Sequence, residues 1–341
     1  MTPTRPARRR PVALLGVVLS AALVSAACSS PGGGASSPTT TTPAKNTATI
    51  AENVDIGGGR TIYVECRGEA KDGTPTVLLM SGSGTASDLW HAPGQKGPDV
   101  YDTIGGQTRV CAMDRPGVQY LDGSPSRSTP VAQPTDPQNG ADDWDAVIDA
   151  LGMQGPYVIA AHSFAGNIAR VFAAEHSDQV KGIVFVDVLS PELRASMTPA
   201  EWGIWVPANN RTAEQLAAYP DLERQDFDRS LDQVEAAEAK VPPSPKPVVV
   251  LQAGVKFDVL VPKYLDEGLL PPSVPRDFGQ VIDRTNAEAQ TRLAAAYPGS
   301  QHITAAGAGH NIMIDDGPVV IQAIEDVLAA VEAGRTTVSG G

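Results

Sequence analysis

Short apolar runs alternate with segments of helical period along most of this chain. Strand-like stretches fall at 61–66, 76–80, 109–113, 157–161, 182–186, 247–251 and 303–304. Those at 157–161 and 247–251 show no polar alternation, as expected of strands buried on both faces. Between them the period changes. Trp144, Val147, Ile148 and Leu151 recur at helical spacing and end at Gly152, predicting a helix over 142–151. Ile168, Val171 and Phe172 repeat the pattern from Asn167 onward, and Val319, Val320, Ala323, Ile324, Val327, Leu328 and Val331 mark a closing amphipathic helix. Alternating strand and helix is the signature of an α/β fold, with a mostly parallel sheet between helical layers. Residues 190–245 interrupt the alternation: they are acidic, helix-prone and leave through Pro242, Pro243 and Pro245, so a helical insertion is expected there. Residues 123–138 read as a Pro/Ser/Thr loop.

The change of period is most abrupt at Ser163. The buried run Tyr157-Val158-Ile159-Ala160-Ala161 stops at His162, and helical spacing starts four residues after Ser163. A serine at such a strand-to-helix turn is lifted clear of the sheet, and the first N–H groups of the helix point at the same place.

Composition adds compartment. The chain has 341 residues, 42% of them hydrophobic, enough for one large core with an insertion. Net charge is −13 and no basic run follows the N-terminus, so nucleic acid is not an expected partner. Residues 1–27 have the form of an export signal: Arg5, Arg8, Arg9 and Arg10 precede an apolar stretch from Val12 to Val24 that is short for a membrane span. Ser25-Ala26-Ala27-Cys28 resembles a bacterial lipobox, with Ser25 where Leu or Val is usual. Lipidation of Cys28 is the favoured expectation, and cleavage after Ala27 is its rival. Removing residues 1–27 takes away four positive and no negative charges, leaving −17. An acidic surface of that kind is repelled by anionic head groups, so membrane attachment is expected from the anchor alone. Residues 28–48 form a Ser/Thr/Pro/Gly tether, 49–189 and 246–335 the core, and 336–341 a disordered tail. There is no His-x-x-x-His or paired-Cys metal motif and no dinucleotide fingerprint after a strand, so no cofactor is expected.

Four separated stretches, taken together, resemble the α/β-hydrolase family over roughly residues 50–335. Ala161-His162-Ser163-Phe164-Ala165-Gly166 is similar to the nucleophile elbow Gly-x-Ser-x-Gly, with alanines at the glycine positions. Ser81-Gly82-Ser83-Gly84 stands where the family carries an oxyanion loop. Asp114-Arg115-Pro116-Gly117 resembles its Asp-Arg-x-Gly turn, with Gln119 replacing the last Gly, and reads as structural. Gly307-Ala308-Gly309-His310-Asn311 before the final helix resembles its histidine loop. The resemblance implies a helical cap at 190–245, with Trp202, Trp205 and Tyr219 as pocket lining or as the cap's own core. It also makes Cys66 and Cys111 members of neighbouring strands, so a disulfide between them is feasible, against two free buried thiols. Cys28 is then the odd thiol that a lipid would occupy.

A serine hydroxyl needs a base within reach, and the base needs a partner that fixes its tautomer. The resemblance makes Ser163 the nucleophile and His310 the base. The N–H groups of Phe164 and Ser83 are the expected oxyanion donors. The acid has two candidates. Asp187 ends the strand after the elbow, and Asp258 lies in the loop after 248–251; Asp187 is preferred. The implied activity is hydrolysis of a small-molecule ester or lipid outside the cytoplasm by a serine carboxylesterase or lipase-like enzyme. The rival is a non-catalytic binding lipoprotein on the same fold.

Overall fold

The computed structural model describes residues 49–71 and 73–338. The expected export signal, Cys28, the tether and residues 339–341 lie outside the described residues. In chain order the elements are β1 (Ile50–Asp55), β2 (Thr61–Arg67), β3 (Thr76–Met80), a 3₁₀ turn at Ser87–His91, α1 (Val100–Gly105), β4 (Val110–Asp114), α2 (Pro137–Leu151), β5 (Tyr157–His162), α3 (Ala165–Glu175) and β6 (Val180–Val186). Then come α4 (Pro191–Ser196), α5 (Pro199–Asn209), α6 (Ala213–Ala218), α7 (Phe227–Lys240), β7 (Val248–Ala253), α8 (Phe257–Asp266), α9 (Phe278–Ala296), β8 (Gln301–Ala305), α10 (Ile312–Asp315) and α11 (Gly317–Glu332).

The strands form one eight-stranded sheet in the order β1-β2-β4-β3-β5-β6-β7-β8. From β4 to β8 neighbours run parallel, whereas β1–β2 and β2–β4 are antiparallel. Central strands are buried along their whole length, so successive side chains enter opposite cores. Leu78, Ile159, Ile183, Phe185 and Val250 pack with Trp144, Phe172 and Leu293 from α2, α3 and α9. Val77, Val158, Val184, Val249 and Leu251 pack on the other side with Ile104, Ile324 and Val327 from α1 and α11.

Several boundaries differ from the sequence pattern, each for a local reason. Helix α2 begins at Pro137, five residues early, because the Asp136 side chain accepts from the Asn139 amide in a capping box and Pro137 takes the first turn. Strand β1 buries only Ile50 and Val54 and gives a weak apolar signal. Helix α9, 19 residues long, was not anticipated because polar Thr285 and Gln290 occupy its buried face. Val338, which falls in the segment expected to be a tail, is buried against the core.

Residues 190–245 carry α4 to α7, the expected helical insertion. Trp205 is buried, stacks on Trp202 at 4.9 Å and meets Phe227 edge-on at 5.1 Å. Cys66 and Cys111 are direct cross-strand partners on β2 and β4 and are bonded, with an S–S length of 2.08 Å. The bond closes a 45-residue separation. By loop-closure entropy such a cross-link is worth about 4 kcal/mol. The double variant Cys66→Ala/Cys111→Ala is therefore expected to unfold at markedly lower denaturant than wild type, and reductant is expected to shift only wild type. Identical midpoints for the two proteins would show that the bond adds nothing.

Candidate active site

The site lies at the carboxyl ends of β5 and β6, where ligands of parallel sheets bind. Ser163 follows β5 with φ 54°, and Asp187 follows β6 with φ 44°. Among the described residues these are the only non-glycine residues with positive φ. Such backbone is costly for a residue with a Cβ, and it persists only where surroundings over-determine it. At Ser163 the amide donates to Val186 O at 3.1 Å, and its carbonyl accepts from the Gly166 and Leu189 amides at 3.1 and 3.0 Å. At Asp187 the amide donates to Leu251 O at 2.7 Å. Alanine fits the turn at 165 because the close approach falls one residue later. A Cβ on Gly166 would sit 2.5 Å from Val188 Cβ.

Asp187 is 4% exposed and its carboxylate is fully engaged. Oδ2 accepts from His310 Nδ1 at 2.6 Å, and Oδ1 accepts from the Ala253 amide at 3.0 Å and from Asn286 Nδ2 at 3.2 Å. Burial would raise this carboxyl's pKa, but the His310 bond and charge, then the Ala253 amide and Asn286, outweigh it and hold the pKa below the usual carboxylate value. An ionised carboxylate only accepts, so His310 Nδ1 carries a proton towards it, and in the neutral tautomer the lone pair is on Nε2. Nε2 is buried and has no hydrogen-bond partner among the described residues. Asp258, the alternative acid, is exposed in the first turn of α8, where its amide bonds Asp283 Oδ2 at 3.1 Å. His310 is paired with Asp187 instead.

His310 sits beyond β8, and its loop is pinned by Gly309 N donating to Asp315 Oδ2 at 2.8 Å. His162, beside the serine, holds the same loop: its Nε2 lies 3.0 Å from His310 O, and the two rings are 4.6 Å apart. Ser163 and His310 both line one cavity of about 1150 Å³, mouth included. The Ser163 hydroxyl makes no hydrogen bond among the described residues. Such contacts commonly tighten only in the substrate complex. The cavity wall is apolar: Leu189, Leu193 and Trp205 from the β6–α5 region, and Phe257, Val261, Val274, Phe278 and Ile282 from α8, α9 and their connection. Tyr219 is not part of it.

Gly82 lies against the elbow, since a Cβ there would come 2.9 Å from His162 Nδ1 and 3.0 Å from Ser163 Cβ. Ser83, which follows Gly82, and Phe164, which follows Ser163, are buried and do not line the cavity. Neither of their amides donates a hydrogen bond among the described residues. Sequence reasoning missed Asn286 and Gln290 on α9. Gln290 Nε2 donates to Val188 O at 2.8 Å and to Asn286 Oδ1 at 3.2 Å, so α9 props the loop that carries Asp187. Their spacing of four on one helix face was the available signal.

Residues 77–323 match the model of the alpha/beta hydrolase family, and the chain belongs to that family. An uncharacterized protein of Schizosaccharomyces pombe is 31% identical over 153 residues, 37% of this chain and 26% of that protein. A Hormonema carpetanum protein named as a probable transporter, efuK, is 25% identical over 83% of this chain and 43% of its own length. The chain thus spans less than half the length of these curated relatives. Among solved structures, a candidate lipase of Acinetobacter baumannii superposes with TM-score 0.52 at 18% identity, covering 86% of this chain and 94% of that one. E-2-(acetamidomethylene)succinate hydrolase does so with TM-score 0.52 at 17% identity, covering 83% and 100%. At such identities the likeness is one of fold. Among the described residues no helix is long and apolar enough to cross a membrane.

His162 provides a pH test. Burial, reinforced by the neighbouring His310, pushes its pKa from 6.5 down to about 3. Below pH 6.5 the unfolded chain therefore takes up a proton that the folded protein refuses until about pH 3. Stability should fall with pH across that window by about 1.4 kcal/mol per unit from this group. His162→Gln is expected to flatten the decline in unfolding free energy between pH 6.5 and 4. Parallel slopes for variant and wild type would contradict this.

Proposed function

We propose that this protein is a serine hydrolase of carboxylic esters, working through an acyl-enzyme with Ser163 as nucleophile, His310 as base and Asp187 as acid. The observation that carries the reading is the Asp187–His310 bond at 2.6 Å, which leaves His310 Nε2, without a hydrogen-bond partner among the described residues, on the residue that lines the same cavity as Ser163. His310 Nε2 takes the Ser163 proton as the oxygen attacks the ester carbonyl, and the ionised Asp187 stabilises the imidazolium. The free amides of Phe164 and Ser83 are our oxyanion donors. His310 then protonates the leaving alcohol, and water, activated by the same ring, releases the acid and regenerates Ser163.

The cavity wall supports an uncharged, apolar acyl group. Among the described residues that line it there is no Lys or Arg, and its two carboxylates are occupied by His310 and by the Gly309 amide. The α4–α7 insertion acts as the cap, sharing the pocket with α8 and α9 and keeping it dry. We further propose export, with attachment to the outer face of the membrane by lipid on Cys28. The Cys66–Cys111 bond supports an oxidising compartment.

Nitrophenyl esters of rising chain length test the reading. Wild type is expected to prefer medium chains over acetate. Ser163→Ala should lose at least about 10⁴-fold in kcat/KM and Asp187→Asn a comparable amount, whereas Asp258→Asn stays near wild type. Full activity of folded Asp187→Asn would remove Asp187 from the mechanism. A folded wild type that neither turns over esters nor takes a fluorophosphonate label would favour a non-catalytic binding protein.

A further inference from the structure

A buried carboxylate in the insertion is left over by this chemistry. Glu223, between α6 and α7, is 1% exposed. Its oxygens accept from Arg115 Nε at 2.7 Å and Nη2 at 3.0 Å, and Oε2 also accepts from the Gly84 amide at 2.6 Å. The same guanidinium turns outward onto the loop after β3. Nη1 donates to Ser81 O at 2.6 Å and Nη2 to Gly82 O at 2.7 Å. Glu223 is itself located by its amide, which donates to Gly117 O at 2.8 Å. The Ser83 hydroxyl donates to Gln225 Oε1 at 2.6 Å and accepts from Arg211 Nη2 at 3.0 Å. Arg211 Nε in turn reaches Glu223 O at 3.0 Å.

Gly82 C=O and Ser83 N–H belong to one peptide plane. A trans peptide is rigid, so its carbonyl and amide point in opposite directions. Fixing Gly82 O on Arg115 therefore fixes where Ser83 N–H points, and Glu223 fixes Arg115. Only an arginine fork can hold one carboxylate and two carbonyls together in this way.

We propose that Arg115 and Glu223 are positioning residues that aim the Ser83 amide at the oxyanion, so that the insertion assembles the catalytic centre as well as walling the pocket. This rests on the esterase reading through the role given to Ser83. Arg115 and Glu223 touch no reacting atom; their effect passes through the Gly82–Ser83 peptide.

The test compares wild type, Glu223→Gln and the milder Gln225→Ala, with Arg115→Lys in reserve should Glu223→Gln fail to fold. Ester kinetics, inhibition by a trifluoromethyl ketone transition-state analogue, and amide hydrogen exchange over residues 79–86 are measured on each. Glu223→Gln or Arg115→Lys should lower kcat about 10- to 100-fold with KM within about 2-fold, weaken the analogue by the same factor, and speed exchange in the loop. Gln225→Ala should do the same to a smaller degree. Folded variants with unchanged kcat, or with kcat lowered but analogue affinity and loop exchange unchanged, would overturn the proposal and leave a merely structural ion pair. Should wild type itself lack ester turnover, the esterase reading falls separately. In that case faster exchange still supports control of the peptide by Glu223, and unchanged exchange overturns it.

Discussion

The site depends on one hydrogen bond, from His310 Nδ1 to Asp187 Oδ2, between residues 123 positions apart in sequence. A carboxylate withdrawn from water so completely is tolerable only if its lone pairs are met. Here a ring N–H, a backbone amide from the end of β7 and a side-chain amide from α9 meet them. That engagement keeps Asp187 ionised, and its ionisation dictates the tautomer of His310. It also links the end of β6 to the end of β7 and to the loop after β8.

Around that bond the molecule concentrates features that a purely structural protein would avoid. Among the described residues, two non-glycine residues hold left-handed backbone, a histidine is buried neutral beside another, and an imidazole nitrogen lies buried without a hydrogen-bond partner. Each is unfavourable alone. Together they stand at the carboxyl ends of β5, β6 and β8, beside an apolar cavity, which is where strain and unsatisfied polarity acquire a chemical use. The Arg115–Glu223 pair extends the pattern outward, because it connects the loop beside Ser163 to the helical insertion.

How far the site was legible in sequence depended on how local its determinants are. The elbow could be read at 157–172 because strand burial and helical spacing are short-range patterns. His310 could be read from its glycine-flanked loop, and the family order of strands placed Cys66 beside Cys111. The acid was left between Asp187 and Asp258 because periodicity cannot say which carboxylate gains the Ala253 amide and Asn286. Helix α9 was missed because Thr285 and Gln290 interrupt its apolar face, and Phe278, Ile282 and Asn286 of the cavity wall went with it. Arg115 read as part of a structural turn, since nothing along the chain links it to Glu223, 108 residues away.

In the proposed mechanism Ser163 becomes covalently acylated. Wild-type protein incubated with a slowly deacylating nitrophenyl ester, quenched in acid, digested and analysed by mass spectrometry tests it most directly. The expected result is the acyl mass increment on the peptide containing Ser163, gained in step with a stoichiometric burst of nitrophenol. Ester turnover without any acyl adduct, or with the adduct on another residue, would contradict the account.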